Sequence, residues 1–146
     1  MINGYKTNFK DNEGNYIPNV SFDEIFSLYE FDKNMKYIFL KYILEIEIIV
    51  KSLIANQISK QYGLIDYLNL TNLDDNINKD IKENLISKIN NEIKHNYQTH
   101  SAITHYIDNY GFVPPFVLIK VLTFGVTSSY YGLLKQSDRQ ESCKTF

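Results

Sequence analysis

The sequence contains one cysteine, one arginine, three prolines and no tryptophan in 146 residues. A single cysteine, Cys143, cannot form a disulfide within the chain, which excludes the disulfide-stapled class of secreted domains. No charged stretch followed by an apolar stretch begins the chain, so no secretory signal is predicted. An intracellular, cytoplasmic location is therefore expected.

The chain also has little net charge: the formal net charge is −2 and the sequence pI is about 5.9. That near-neutral balance excludes the strongly basic class of nucleic-acid-binding domains. Hydrophobic residues make up 44% and charged residues 22%, a composition that excludes a disordered chain. At this length, residues 1–146 are expected to form a single helical domain around one core.

A long helix is the strongest feature of the pattern. Residues 1–20 are predicted to form an irregular segment. Ser21 and Glu24 then have the spacing of a capping box, which starts a helix. Apolar residues at helical spacing then continue to Tyr62, before Gly63 at a suitable C-terminal capping position. Charged residues interrupt the most apolar part about once per turn, so a central helix of a soluble bundle is predicted and a membrane span is not.

Further helices follow at shorter lengths. Apolar residues at intervals of four predict an amphipathic helix from Leu73 to Tyr97, and a shorter helix is predicted over residues 101–110, stopped by Gly111. Pro115 is expected to open another helix that continues past Phe124. A last helix is predicted to begin at Asp138. The predicted class is therefore all-α, a helical bundle with one long central helix.

No catalytic or metal-binding spacing stands out. His95, His100 and His105 are five residues apart, so they do not share one helix face, and no metal-ligand motif accompanies them. Cys143 has no identifiable base near it, and no glycine-rich phosphate loop is present. The expectation is no catalytic residue, no metal site and no cofactor.

Polar and aromatic residues within the apolar pattern leave two interpretations open. Glu47 and Lys51 are four apart, as in a helical ion pair, and they form either a structural pair or one side of a functional groove between helices. The frequent tyrosines are either core residues or platforms for unpaired bases of RNA. These tyrosines include Tyr29, Tyr37, Tyr42, Tyr62, Tyr130 and Tyr131.

Several separated runs resemble the Abi-like proteins of abortive-infection phage resistance. The resemblance covers nearly the whole chain and lies in INGYK near the N-terminus, FDEIFSLYEFDKNMK, IEIIVK, YG and HYIDNYGFVPPFVLIKVLTFG. It implies an all-α protein related to the HEPN superfamily, whose active members are metal-independent ribonucleases that commonly work as dimers. RNA and a second copy of the chain are thus the implied partners, with a HEPN-like fold.

The catalytic signature that the resemblance implies is an Arg and a His separated by four to six residues. Arg139 is the only arginine here and no histidine follows His105, so this sequence lacks the pair. The chain is therefore expected to be a central fragment, truncated at both ends relative to the family and inactive by itself.

Three positions depart from the family pattern. Lys36 and Lys51 stand where arginine is usual, which keeps the charge and loses the planar guanidinium. Lys120 stands where a glutamate is common, which reverses the charge. The candidate groove or support residues are Glu47, Lys51, Lys120, Tyr29 and Asp32.

Three functions compete at this point. The first is the helical core of a HEPN-type ribonuclease toxin. The second is a noncatalytic interaction module that dimerises or holds an antitoxin or phage component, because a long apolar helix leaves surface for a partner to cover. The third is a single-stranded RNA binder that uses lysine and tyrosine side chains.

Overall fold

The structure, a computed structural model, describes residues 2–143, with side-chain surroundings given for residues 4–141. The side chain of Cys143 falls outside residues 4–141, the range over which side chains are described. Across residues 2–143 the fold is helical and contains two isolated β-bridges but no strand, so the all-α prediction is confirmed. The six α-helices of this part are α1 (Phe22–Tyr62), α2 (Lys79–Asn96), α3 (Ser101–Tyr110), α4 (Pro115–Leu118), α5 (Phe124–Leu133) and α6 (Gln136–Cys143).

The long helix α1 has the boundaries that its capping residues predict. The Ser21 backbone N–H donates to the Glu24 carboxylate at 2.8 Å, and the Glu24 N–H donates to the Ser21 hydroxyl at 3.3 Å. At the other end, Gly63 has a φ of +77°, a conformation that glycine adopts without strain. The capping box and the terminal glycine therefore fix both ends of a 41-residue helix.

Residue contacts group the chain into two compact units that divide between Ile46 and Glu47, within α1. In the first unit, a 3-10 helix covers Ile2–Phe9, and an antiparallel bridge pairs Lys10 with Tyr16. The expectation of an irregular segment over residues 1–20 missed this 3-10 helix. The expectation of one domain stays a prediction.

The second unit contains one hydrophobic core. Leu73, Ile89 and Ile103 are fully buried at its centre, and Ile54 and Ile58 of α1 also belong to the core. This unit comprises the C-terminal part of α1 together with α2 to α6. The bundle prediction therefore describes the second unit.

Two predicted helix starts differ from the structure. The helix predicted from Leu73 begins at Lys79, because the Asn78 side chain caps it by accepting the Asp80 N–H at 2.7 Å. The last helix begins at Gln136, two residues before the predicted start. Leu73 instead forms an isolated bridge that buries it in the core.

The helix predicted to run from Pro115 past Phe124 is broken in two. The first piece, α4, ends at Leu118, and Thr123 caps the second piece by accepting the Val126 N–H on its hydroxyl at 3.3 Å. The turn between them brings the Leu122 carbonyl to the Lys51 side chain. Pro115 does occupy the first position of its helix, as predicted.

The most apolar part of α1 is not covered by the other described residues. All residues from 36 to 46 are exposed, although only Lys36, Lys41 and Glu45 among them are charged. The long helix is present as predicted, but these eleven residues are exposed along it. We call residues 37–46 the apolar segment.

Candidate functional site

The candidate residues Glu47, Lys51 and Lys120 lie together in the second unit. The Lys51 ammonium contacts the Glu47 carboxylate at 2.6 Å and donates to the Leu122 carbonyl at 2.8 Å. Glu47 and Lys51 lie four residues apart on α1, so one turn of helix sets their pairing. The pairing predicted from their spacing is thus present, and Lys51 also connects α1 to the turn before α5.

The ion pair is partly shielded from water. The Lys51 side chain is 15% exposed and the Glu47 side chain is 30% exposed. A charge at that depth is costly without a partner, and here the carboxylate and the carbonyl are both partners. Leu122 lies between α4 and α5, where its carbonyl has no helical partner, and the Lys51 ammonium supplies the hydrogen bond that a partly buried backbone group needs.

A cavity of about 520 Å³ lies beside this pair, and we call it the Lys51–Lys120 cavity. Its wall on α1 includes Lys51 and Asn56, and its other wall includes Phe116, Ile119 and Lys120. These residues are separated by more than fifty positions in the sequence, so spacing alone could not have shown the cavity. Lys51 and Lys120 are both lining residues, whereas Glu47 reaches the cavity only through Lys51.

The other candidates, Tyr29 and Asp32, lie in the first unit. The Asp32 carboxylate accepts a hydrogen bond from the Tyr5 hydroxyl and pairs with the Lys36 ammonium at 2.6 Å. The Tyr29 ring meets the Tyr5 ring edge to face, with centroids 5.8 Å apart. All four residues line a cavity of about 380 Å³. Sequence reasoning missed Tyr5, which carries no spacing signal toward Asp32.

The electrostatics of the Asp32 cluster argue against a catalytic role for it. Hydrogen bonds from Lys36 and Tyr5 lower the pKa of the Asp32 carboxyl, and the hydrogen bond to Asp32 raises the pKa of the Tyr5 phenol. The hydrogen bond between Lys36 and Asp32 raises the pKa of the Lys36 ammonium. At neutral pH the cluster therefore holds a carboxylate, an ammonium and a neutral phenol already bonded to one another, which supplies neither a base nor a nucleophile.

Most of the tyrosines considered as base-stacking platforms have structural partners. Tyr130 is buried and donates from its hydroxyl to the Tyr67 carbonyl, while the Tyr67 hydroxyl donates to the Val113 carbonyl at 2.7 Å. Burial raises the pKa of both phenols. Tyr37 and Tyr42 in the apolar segment are exposed and remain accessible.

The described residues lack two further kinds of site. No group of three or more His, Cys, Asp or Glu in that part of the chain could hold a metal ion. None of its helices combines the length and hydropathy that a bilayer span needs.

Comparison with known proteins identifies a family for this chain. A family model described as Abi-like protein matches residues 1–146, the full length of the sequence. No curated protein and no solved structure gives a significant match. The chain therefore belongs to the Abi-like protein family.

Proposed function

We propose that this chain is the helical core of a phage-resistance protein, related to the HEPN-type metal-independent ribonucleases, and that it does not cleave RNA by itself. Membership of the Abi-like family and the all-α fold support the first part. The second part depends on one observation. The sequence has Arg139 as its only arginine and no histidine after His105, so it lacks the Arg and His pair of such enzymes.

The chemistry explains why that pair matters. Cleavage without a metal needs a base that takes the proton of the RNA 2′-hydroxyl and a cation that stabilises charge in the transition state. Neither cavity supplies both groups. Lys51 and Lys120 offer cations without a histidine, and the Asp32 carboxylate is already paired with Lys36.

We expect the purified chain to leave single-stranded RNA intact. The measurement is cleavage of an end-labelled RNA in EDTA, beside a no-protein control and a metal-independent ribonuclease as positive control. Background-level cleavage is the predicted result. Cleavage that persists through repeated purification and disappears in Arg139→Lys would contradict the proposal, because Arg139 would then be catalytic.

A second candidate function, self-association without catalysis, is favoured by the apolar segment. Met35, Phe39, Tyr42 and Ile46 follow one another at intervals of four, three and four residues, the spacing of a coiled-coil seam. We call these four residues the seam. Met35 is partly buried, whereas Phe39, Tyr42 and Ile46 are each more than half exposed, so the described residues leave most of the seam uncovered.

A second copy of the chain is the occupant that this seam fits best. The seam carries no charged residue, so two identical seams can pack without burying like charges. A two-fold axis lets each copy present the same surface to the other and closes the assembly at a dimer. Burial of apolar surface at about 25 cal/mol per Å² drives the association. The expected state of the chain in solution is therefore a dimer.

A further inference from the structure

We propose that the Lys51–Lys120 cavity binds a small amphipathic carboxylate, with the carboxylate at Lys120 and the apolar body inside the cavity. The proposal does not depend on the seam, because every residue that lines the cavity belongs to the second unit. It does not depend on RNA cleavage either, because it assigns no catalytic step. It would give this fold a small-molecule binding site that neither proposed function requires.

The charges around the cavity select an anion. Two lysines line it and no aspartate or glutamate does. Glu47 neutralises Lys51, whereas Lys120 is exposed and makes no ion pair with the described residues. One positive charge is thus left at the cavity wall. That single charge fits a monoanion and is too little for a polyanion such as RNA, whose binding needs several cations.

The polar groups at the wall are few, which limits recognition to one end of a ligand. The Ser52 and Ser59 hydroxyls already donate to carbonyls of their own helix, each at 2.8 Å. The Asn56 amide makes no hydrogen bond among the described residues. A carboxylate between Lys120 and Asn56 would accept from both side chains, in a charge-assisted arrangement.

The rest of the wall is apolar and open to water. Ile48 is 65% exposed, Phe116 is 45% exposed and Leu64 is 44% exposed, which leaves apolar surface for a ligand to cover. The cavity volume of about 520 Å³ falls in the range of about 300–1,000 Å³ usual for small-molecule sites. An apolar body with one carboxylate therefore matches both the shape and the chemistry of the site.

Decanoate below its micellar concentration is the probe, and decan-1-ol is its neutral counterpart. Isothermal titration calorimetry is expected to show saturable binding of one decanoate per chain. Decan-1-ol has the same apolar chain and no charge, so it is expected to bind at least tenfold more weakly. Equal binding of the two ligands, or no saturable binding of decanoate, would overturn the proposal.

Matched variants locate the site. Lys120→Gln is expected to weaken decanoate binding at least tenfold and leave decan-1-ol unchanged. Lys60→Gln removes the same charge from a residue that does not line the cavity, and it is expected to bind like the wild type. Ser52→Phe places a ring in the cavity and is expected to abolish binding of both ligands. Circular dichroism confirms that each variant is folded.

Two outcomes with these variants would overturn the site. The first is decanoate binding that survives in Ser52→Phe, since the ligand would then lie elsewhere, for example on the apolar segment. The second is an equal loss in Lys60→Gln and Lys120→Gln, since general charge would then explain it. A parallel experiment with anionic vesicles distinguishes binding of monomeric decanoate from binding to a lipid surface. Cosedimentation with anionic vesicles in the absence of decanoate binding would also count against the proposal.

Discussion

Ile103→Ala is expected to lower the free energy of unfolding by about 2–5 kcal/mol, the range for removing a large aliphatic side chain from a packed core. Ile103 lies on α3 and is fully buried, as are Leu73 and Ile89. The substitution removes buried apolar surface and leaves a cavity that helices from several parts of the chain would have to close. Because small domains are stable by about 5–15 kcal/mol, this loss is a large part of the total.

Urea denaturation at one fixed protein concentration measures the effect, since self-association would otherwise add to the apparent stability. Two controls accompany it. Ile103→Val removes less and should cost about 0.5–1.5 kcal/mol. Ile81→Ala changes a residue on α2 that is 56% exposed and should change stability by less than about 0.5 kcal/mol. If Ile103→Ala were as mild as Ile81→Ala, the core described for the second unit would be wrong.

Phe39→Lys is expected to raise the dissociation constant of the dimer at least tenfold, which corresponds to about 1.4 kcal/mol. Phe39 belongs to the seam and is 59% exposed in the single chain. A lysine there would place an unpaired ammonium in a surface that association removes from water. Sedimentation equilibrium of the variant and the wild type measures the change.

Leu44→Lys is the matched control for that substitution. Leu44 is 50% exposed in the same segment, and it lies two residues from Tyr42, about 200° around the helix. It therefore lies on the face opposite the seam, where a lysine stays in water and should have little effect. Equal weakening by the two substitutions would show that hydrophobicity of the whole segment, and not the seam, drives association.

Local signals explain which parts of the fold could be predicted. Ser21 with Glu24 and Gly63 fixed both ends of α1, because caps act on neighbouring backbone groups and are visible in sequence. Gly111, with a φ of +74°, likewise ends α3 where predicted. The Glu47–Lys51 ion pair could also be predicted, because side chains four residues apart on a helix lie next to each other.

Long-range contacts explain what was missed. The break between α4 and α5 depends on Thr123 and on the Leu122 carbonyl, whose donor Lys51 is 71 positions away. No periodicity carries that information. The Lys51–Lys120 cavity could not be predicted for the same reason, because its walls are far apart in the sequence, although Lys51 and Lys120 were both candidate residues.

The exposed apolar segment was misjudged for a different reason. A helix that is apolar on most sides is usually buried by its own chain. Here residues 36–46 remain exposed to solvent, which is the basis of the proposal that a second copy of the chain covers them. The hypothesis of an interaction module stays a prediction.

Cross-linking through the seam tests the central claim of association most directly. Tyr42→Cys and Leu44→Cys, each with Cys143→Ser, put a single thiol on the seam or on the opposite face. A short bismaleimide is then applied at low protein concentration. Covalent dimer formation with Tyr42→Cys well above that with Leu44→Cys is the predicted result. Equal yields from the two variants, or no dimer from either, would contradict association through the seam.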